Sequence, residues 1–150
     1  MINKGTMRII IPFIVVAILI VYINTKVLLI AYVPTESMEP VLDTGTYHIC
    51  SRYKIDELSR EDIIVFQQKD VVMIKRIIGL PGEILEIRDN IIYINGKKLL
   101  CPYIKEEMKT KDLVVRIPQD SYFVMGDNRN NSHDSRQFGT ILKKQILAKL

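Results

Sequence analysis

The stretch Val71-Val72-Met73-Ile74-Lys75-Arg76-Ile77-Ile78-Gly79-Leu80-Pro81-Gly82 decides the fold class. It is an apolar strand of β-favouring residues, ended by a Leu-Pro-Gly turn. Side chains alternate along a strand, so Lys75 and Arg76 point to opposite faces, and Lys75 falls with Val71, Met73 and Ile77. Two readings of Lys75 are open. It is a snorkelling lysine on an edge strand, or a buried amine whose charged form is penalised. At an ordinary pKa of about 10.4, roughly 4 in 10,000 lysines are neutral at pH 7. A drop of about 2 to 3 units makes the neutral amine abundant enough to act as a base.

Outward from this strand, short β-type runs continue between turn residues. They are Tyr47–Arg52, Ile63–Phe66, Ile84–Arg88, Ile91–Ile94, Val114–Ile117 and Ser121–Val124. Asn95-Gly96 is a strong two-residue hairpin signal and Asp89-Asn90 a weaker one. Lys105–Asp112 is polar and charged and reads as an exposed loop. Repeats are absent and helical periodicity is weak after residue 35. The reading is one mainly β, antiparallel, partly closed barrel-like domain.

Two further segments carry chemistry. Gly126-Asp127-Asn128-Arg129-Asn130-Asn131-Ser132-His133-Asp134-Ser135-Arg136-Gln137-Phe138-Gly139 packs hydrogen-bonding side chains between two glycines. It is either a surface loop of turn formers or a half-buried network that fixes other groups. Pro34-Thr35-Glu36-Ser37-Met38-Glu39-Pro40 holds a small hydroxyl in backbone stiffened by proline. It is either an ordinary linker or the seat of a nucleophile. A Ser-His-Asp triad through His133 and Asp134 is disfavoured, because neighbours in an extended segment face opposite ways. The two His and two Cys are scattered without metal-ligand spacing. Cys50 and Cys101 read as packing residues, and their pairing is open.

At the other end, Ile9 to Thr25 are 17 uncharged residues, most of them apolar. As a helix they reach about 25 Å, at the short end for a membrane span. Lys4 and Arg8 precede the run, which places residue 1 in the cytoplasm and the bulk of the chain outside. A cleaved signal peptide is a rival reading, but no small-residue cleavage site follows. A buried core helix is another, although the run has no one-sided stripe.

The 150 residues carry a net charge of +4 and are 48% hydrophobic. Three of those four units fall within residues 1–35, as Lys4, Arg8 and Lys26 with no acid. The nearly neutral remainder excludes a nucleic-acid binder, which needs a dense basic surface. Disorder and a disulfide-built miniprotein are excluded by the hydrophobic content and the two cysteines.

Taken together, these segments resemble the bacterial type I signal peptidases, or leader peptidases. The matching boxes are Ser37-Met38-Glu39-Pro40, Glu61-Asp62-Ile63-Ile64-Val65-Phe66, Lys75-Arg76-Ile77-Ile78-Gly79-Leu80-Pro81-Gly82, and Gly126-Asp127-Asn128-Arg129 through Ser132, Asp134, Ser135, Arg136 and Gly139. Their order and the lysine box are similar to the bacterial Ser/Lys branch rather than the Ser/His branch. Glu61 stands where that family usually has Gly, Val41 where it often has Thr, and Glu83 where it often has Asp. Relatives also usually continue past the region that ends here at Leu150.

The resemblance implies a cytoplasmic segment 1–8, a transmembrane anchor 9–31 and an extracytoplasmic peptidase domain 32–150. It implies Ser37 as nucleophile and Lys75 as general base, with no cofactor and no metal. The Thr35 hydroxyl and the Ser37 backbone N–H are the implied oxyanion donors, and Ser132 the residue that orients Lys75. Asp134 and Arg136, two residues apart, are expected to pair, and Asp127 with Arg129 likewise. The implied partners are exported preproteins, the lipid bilayer and the secretion machinery, with no nucleic acid. The substrate is expected as an extended strand beside Val71–Lys75 and Val33–Glu36, cut after a small residue. Two alternatives differ in kind. One is a self-cleaving Ser/Lys repressor, which would be soluble and carry a DNA-binding domain. The other is a catalytically impaired, membrane-tethered preprotein-binding protein, suggested by the short C-terminus.

Overall fold

A computed structural model describes residues 4–150; residues 1–3 of the expected cytoplasmic segment lie outside the described residues. The apolar run forms helix α1 (Lys4–Tyr22), followed by a π-helical turn at Ile23–Val27. The helix therefore stops well short of the expected end at residue 31. The next residues are drawn into strand β1 (Leu28–Tyr32), which pairs along its whole length with β2 (Tyr47–Ser51). Sheet pairing of Leu28–Tyr32 outweighs the continued apolar pattern that favoured helix. Among the described residues no helix is long and apolar enough to cross a membrane.

The remaining strands are β3 (Ile63–Gln68), β4 (Val71–Gly79), β5 (Ile84–Arg88), β6 (Ile91–Ile94), β7 (Lys97–Lys98), β8 (Leu113–Arg116), β9 (Ser121–Met125), β10 (Ile141–Leu142) and β11 (Ile146–Lys149). A short helix α2 (Ser135–Phe138) lies between β9 and β10. The strands form a seven-stranded sheet, β1-β2-β11-β3-β4-β9-β10, and a four-stranded sheet, β7-β6-β5-β8. Every pairing is antiparallel. The expected antiparallel β class is met, but the described strands form two open sheets and not a barrel. Strands β1 and β10 are the two edges of the larger sheet and do not pair with each other.

The hairpin signals correspond to real turns. Asp89 and Asn90 have φ of 49° and 64°, and Asn95 and Gly96 have φ of 50° and 78°. Both central residues are thus left-handed, as a type I′ turn requires. Glu61, which replaces a residue the resemblance gave as Gly, also has a positive φ of 74°. That conformation costs a side-chain-bearing residue about 1 kcal/mol. It is held from both sides of the peptide, since Glu61 N–H donates to Ile77 O and Glu61 O accepts from Arg76 Nη1.

Strand β4 lies inside the larger sheet, between β3 and β9. Lys75 is 5% exposed with its Nζ bonded inside the protein, so it does not snorkel to solvent. The two apolar faces of β4 feed three clusters. Ile74 packs with Val65, Met38, Cys50 and Ala148. Ile77 packs with Ile64, Phe66, Val124 and Ile141. Ile78 packs with Leu85, Ile87, Ile117 and Phe123, which joins the two sheets. The loop expected to be exposed over Lys105–Asp112 is largely so, but Thr110 is half-buried and Met108, which is 4% exposed, belongs to this last cluster.

Candidate functional site

Lys75 and Arg76 are both buried, because both faces of β4 are covered. Strand β9 pairs with β4 only from Arg76 to Gly79. Residues Val71–Lys75 therefore bond to β3 on one side and face a cavity on the other. This cavity, of about 770 Å³, is lined by β1 and the segment after it, by Val71–Lys75, and by Asn130–His133.

Ser37 sits in a 3₁₀ turn, Glu36–Met38, between β1 and β2. Lys75 Nζ donates to Ser37 Oγ at 2.6 Å and to Ile74 O at 2.9 Å. Thr35 Oγ1 donates to the same Ser37 Oγ at 3.1 Å. Ser37 is 7% and Lys75 5% exposed. Burial pushes the Lys75 amine down to about 8, against the carboxylates of Asp134 and Asp127, which pull it up. The Ser37 N–H lies in the first turn of a helical segment, where donors have no partner within the turn. The arrangement brings together a hydroxyl, a buried amine of lowered pKa and a backbone N–H at the start of a turn beside an apolar groove.

Ser132 lines the same cavity, but it does not hold Lys75 as expected. Its hydroxyl is buried and makes no hydrogen bond among the described residues. The nearer constraint on Nζ is the Ile74 carbonyl. Gly126 explains how tightly this region is packed. A Cβ there would run into both the Ser132 hydroxyl and the Ser37 carbonyl oxygen. Gly126→Ala is expected to cost about 1–3 kcal/mol through overpacking, read as a lower urea midpoint. An unchanged midpoint would mean the two segments have room to part.

Behind the cavity lie two carboxylates that are 0% exposed, Asp127 and Asp134. Asp134 pairs with Arg136 through Nε and Nη2, each at 2.9 Å, and also accepts from Gly126 N–H at 3.0 Å. It caps α2, with Gln137 completing a capping box. The expected pair of Asp127 with Arg129 is not formed. Asp127 instead takes Arg76 in a two-point bridge, Nε to Oδ1 at 2.8 Å and Nη2 to Oδ2 at 2.6 Å. Arg129 begins a 3₁₀ turn, Arg129–Asn131, which carries its side chain away. Its Nε donates to Gly126 O at 3.0 Å.

Sequence reasoning gave no role to Arg76 or Asn128. Arg76 was visible as a second charge in an apolar strand, but its partner is 51 residues away. Asn128 Nδ2 donates to Glu36 O and its N–H to Ser37 O, both at 3.1 Å. No pattern in the chain marks these contacts. His133 is exposed and stands edge-on to Phe138 at 5.4 Å. The bonds of the Asp134 carboxylate go elsewhere, so no triad is assembled. Cys50 and Cys101 are free thiols.

Residues 6–150 match the family described as signal peptidase, peptidase S26. A probable signal peptidase I-2 of Synechocystis sp. is 36% identical over 142 residues, covering 88% of this chain and 65% of the relative. Signal peptidase I of Bacillus amyloliquefaciens is 39% identical over 147 residues, covering 89% and 80%. The crystal structure of a signal peptidase I from Enterococcus faecalis superposes with a TM-score of 0.57 at 35% identity, over 63% of this chain and 97% of that one. The chain spans between 56% and 67% of the length of the first three curated relatives it matches. With nearly the whole chain matched and the β architecture shared, the protein belongs to the signal peptidase family, peptidase S26.

Proposed function

We propose that this protein is a membrane-attached endopeptidase that removes signal peptides from exported preproteins, with Ser37 as nucleophile and Lys75 as general base. The observation that carries the reading is the 2.6 Å contact between Lys75 Nζ and Ser37 Oγ inside a buried pocket. Neutral Lys75 accepts the hydroxyl proton as Oγ attacks the scissile carbonyl, and returns it to the leaving amine. The acyl-enzyme that remains is hydrolysed by water with the same base. The Thr35 hydroxyl, now on Ser37 Oγ, turns with the Ser37 N–H to the developing oxyanion. Asp127, Asp134, Arg76 and Arg136 hold the pocket's rear wall, and Ser132 lies where it can take a bond from Lys75 once substrate enters.

The substrate adds as a strand to the free edge of Val71–Lys75, opposite Val33–Glu36. Main-chain pairing gives affinity, and the apolar lining favours uncharged side chains. Cleavage follows a small residue. The domain division follows from this: the exposed apolar residues from Ile9 to Tyr22 of α1 seat in the bilayer, and the domain from residue 32 works on its outer surface. Confinement of enzyme and substrate to one surface raises their effective concentration. The binding-only alternative draws no support from a nucleophile and base already joined.

The test incubates detergent-solubilised protein with a preprotein and sequences the new N-terminus. Cleavage after a small residue is expected, and its absence at every pH would sink the reading. Because only neutral Lys75 serves as base, kcat/KM should rise with pH through an apparent pKa near 8 and level off above it. At pH 7 the active fraction is then roughly one in ten. A profile already flat from pH 6 to 9 would rule out Lys75 as the titrating group.

A further inference from the structure

The two peptide groups that flank the Ser37 Cα are both tied to one residue, Asn128, one through its side chain and one through its backbone. Asn128 Nδ2 donates to Glu36 O, and Asn128 N–H donates to Ser37 O. Asn128 is 3% exposed, so water does not compete for these bonds. The Glu36 carbonyl and the Ser37 N–H belong to the same peptide plane and point in opposite directions. A bond that fixes the carbonyl therefore fixes the N–H. It also withdraws charge through the amide, which makes that N–H the stronger donor. The second bond, at Ser37 O, clamps the following plane, so the turn cannot rotate about either side of the nucleophile.

We infer that Asn128 is a positioning residue that aims and strengthens the Ser37 N–H as an oxyanion donor. The inference rests on the reading of Ser37 as nucleophile given above. Its side chain touches neither Ser37 Oγ nor Lys75 in the described contacts, and the Lys75 pKa is lowered by burial and held up by Asp134 and Asp127, not by Asn128. Loss of Asn128 should then act on transition-state binding and leave the base alone. The rest of the segment is held independently. Asn131 Nδ2 reaches Glu36 Oε2 at 3.3 Å, Lys105 Nζ bridges to Glu39 Oε2 at 2.7 Å, and Leu42 N–H bonds to Met38 O at 3.0 Å.

The experiment compares wild type, Asn128→Ala and Asn128→Asp in detergent, with a signal-peptide substrate. Asp keeps the shape but turns the donor that faces Glu36 O into an acceptor. Thermal melts identify which variants fold. Three quantities are read: kcat, KM, and the inhibition constant of a peptide aldehyde that forms a tetrahedral adduct with serine. The expected result is a kcat lower by about 10²-fold, the typical worth of one oxyanion donor. The aldehyde should weaken in parallel, KM should stay within about threefold, and the acid limb of Asn128→Ala should stay where wild type has it. A kcat within threefold of wild type overturns the inference, as does a fall in kcat with aldehyde affinity intact. Failure of both variants to fold makes Asn128 a folding residue and overturns it too. The parent reading fails separately, if Ser37→Ala in the same assay still cleaves.

Discussion

Ser37→Ala and Lys75→Met should each abolish cleavage, by at least about 10⁴-fold, when preprotein processing is followed by gel shift and N-terminal sequencing. The two losses should also fail to add in the double variant, because nucleophile and base act as one unit. The reason is geometric. Ser37 Oγ has the amine at 2.6 Å and the Thr35 hydroxyl at 3.1 Å, and among the described residues no other base is bonded to it. Retention of more than a few per cent of activity in either variant would sink the mechanism.

Lys75→Met carries a second, opposite effect that separates lost chemistry from lost structure. Burial lowers the Lys75 pKa from 10.5 to about 8. Below pH 8 the amine is charged in folded and unfolded chains alike, and the folded state bears the full cost of burying that charge. Between about 8 and 10.5 the unfolded chain holds the extra proton, so stability rises with pH. Above 10.5 the cost is gone. The shift corresponds to about 3 kcal/mol at neutral pH. Methionine of similar length removes that cost but takes the Nζ donor from Ser37 Oγ, which keeps only the Thr35 hydroxyl, and from Ile74 O. Lys75→Met should therefore be inactive yet more stable at pH 7 by about 2 kcal/mol. The advantage should shrink above pH 8, as measured by urea unfolding across pH. A variant less stable than wild type at pH 7 would contradict the burial account.

The residues that carry this chemistry stand out in the chain because they are out of character locally. A lysine in a β-branched strand, a serine between prolines and a polar segment between glycines each break a pattern, and each lines or backs one cavity. The pairing that assembles them is less legible. Strand β1 was hidden by the apolar run that precedes it, since Leu28–Tyr32 is as consistent with a continued helix as with a strand until β2 is seen beside it. Strand β11 contains Ala148 and Lys149, weak strand formers, and exists because β2 and β3 leave a gap for it. The spacing rule for ion pairs succeeded at Asp134 and Arg136 for a reason it did not contain. These residues meet through a helix cap and not along an extended strand. At Asp127 and Arg129 the same spacing failed, because a 3₁₀ turn begins at Arg129.

Breaking the Arg76–Asp127 bridge should produce the largest loss of stability available in the network. Asp127 is 0% exposed and Arg76 is 8% exposed, with the guanidinium stacked 4.1 Å from the Tyr103 ring centroid. Asp127→Ala leaves a permanently charged group buried without its counter-ion, since Arg76 keeps only the Glu61 carbonyl and the ring. A buried pair broken on one side costs about 3–5 kcal/mol. Replacing both partners, as Arg76→Met with Asp127→Leu, should cost less than Asp127→Ala alone, because no charge is stranded. The pair therefore registers the two strands that carry Lys75 and the Asn128 segment more than it adds net stability. Asp127 also supports the charged form of Lys75 across the strand. Its loss should lower the Lys75 pKa further and move the acid limb of kcat/KM to lower pH in the fraction that folds. Urea midpoints of the two single variants and the double variant read the first effect, and the pH profile of Asp127→Asn reads the second. An Asp127→Ala midpoint within about 1 kcal/mol of wild type, or a limb that moves alkaline, would show that Asp127 neither compensates Arg76 nor acts on Lys75.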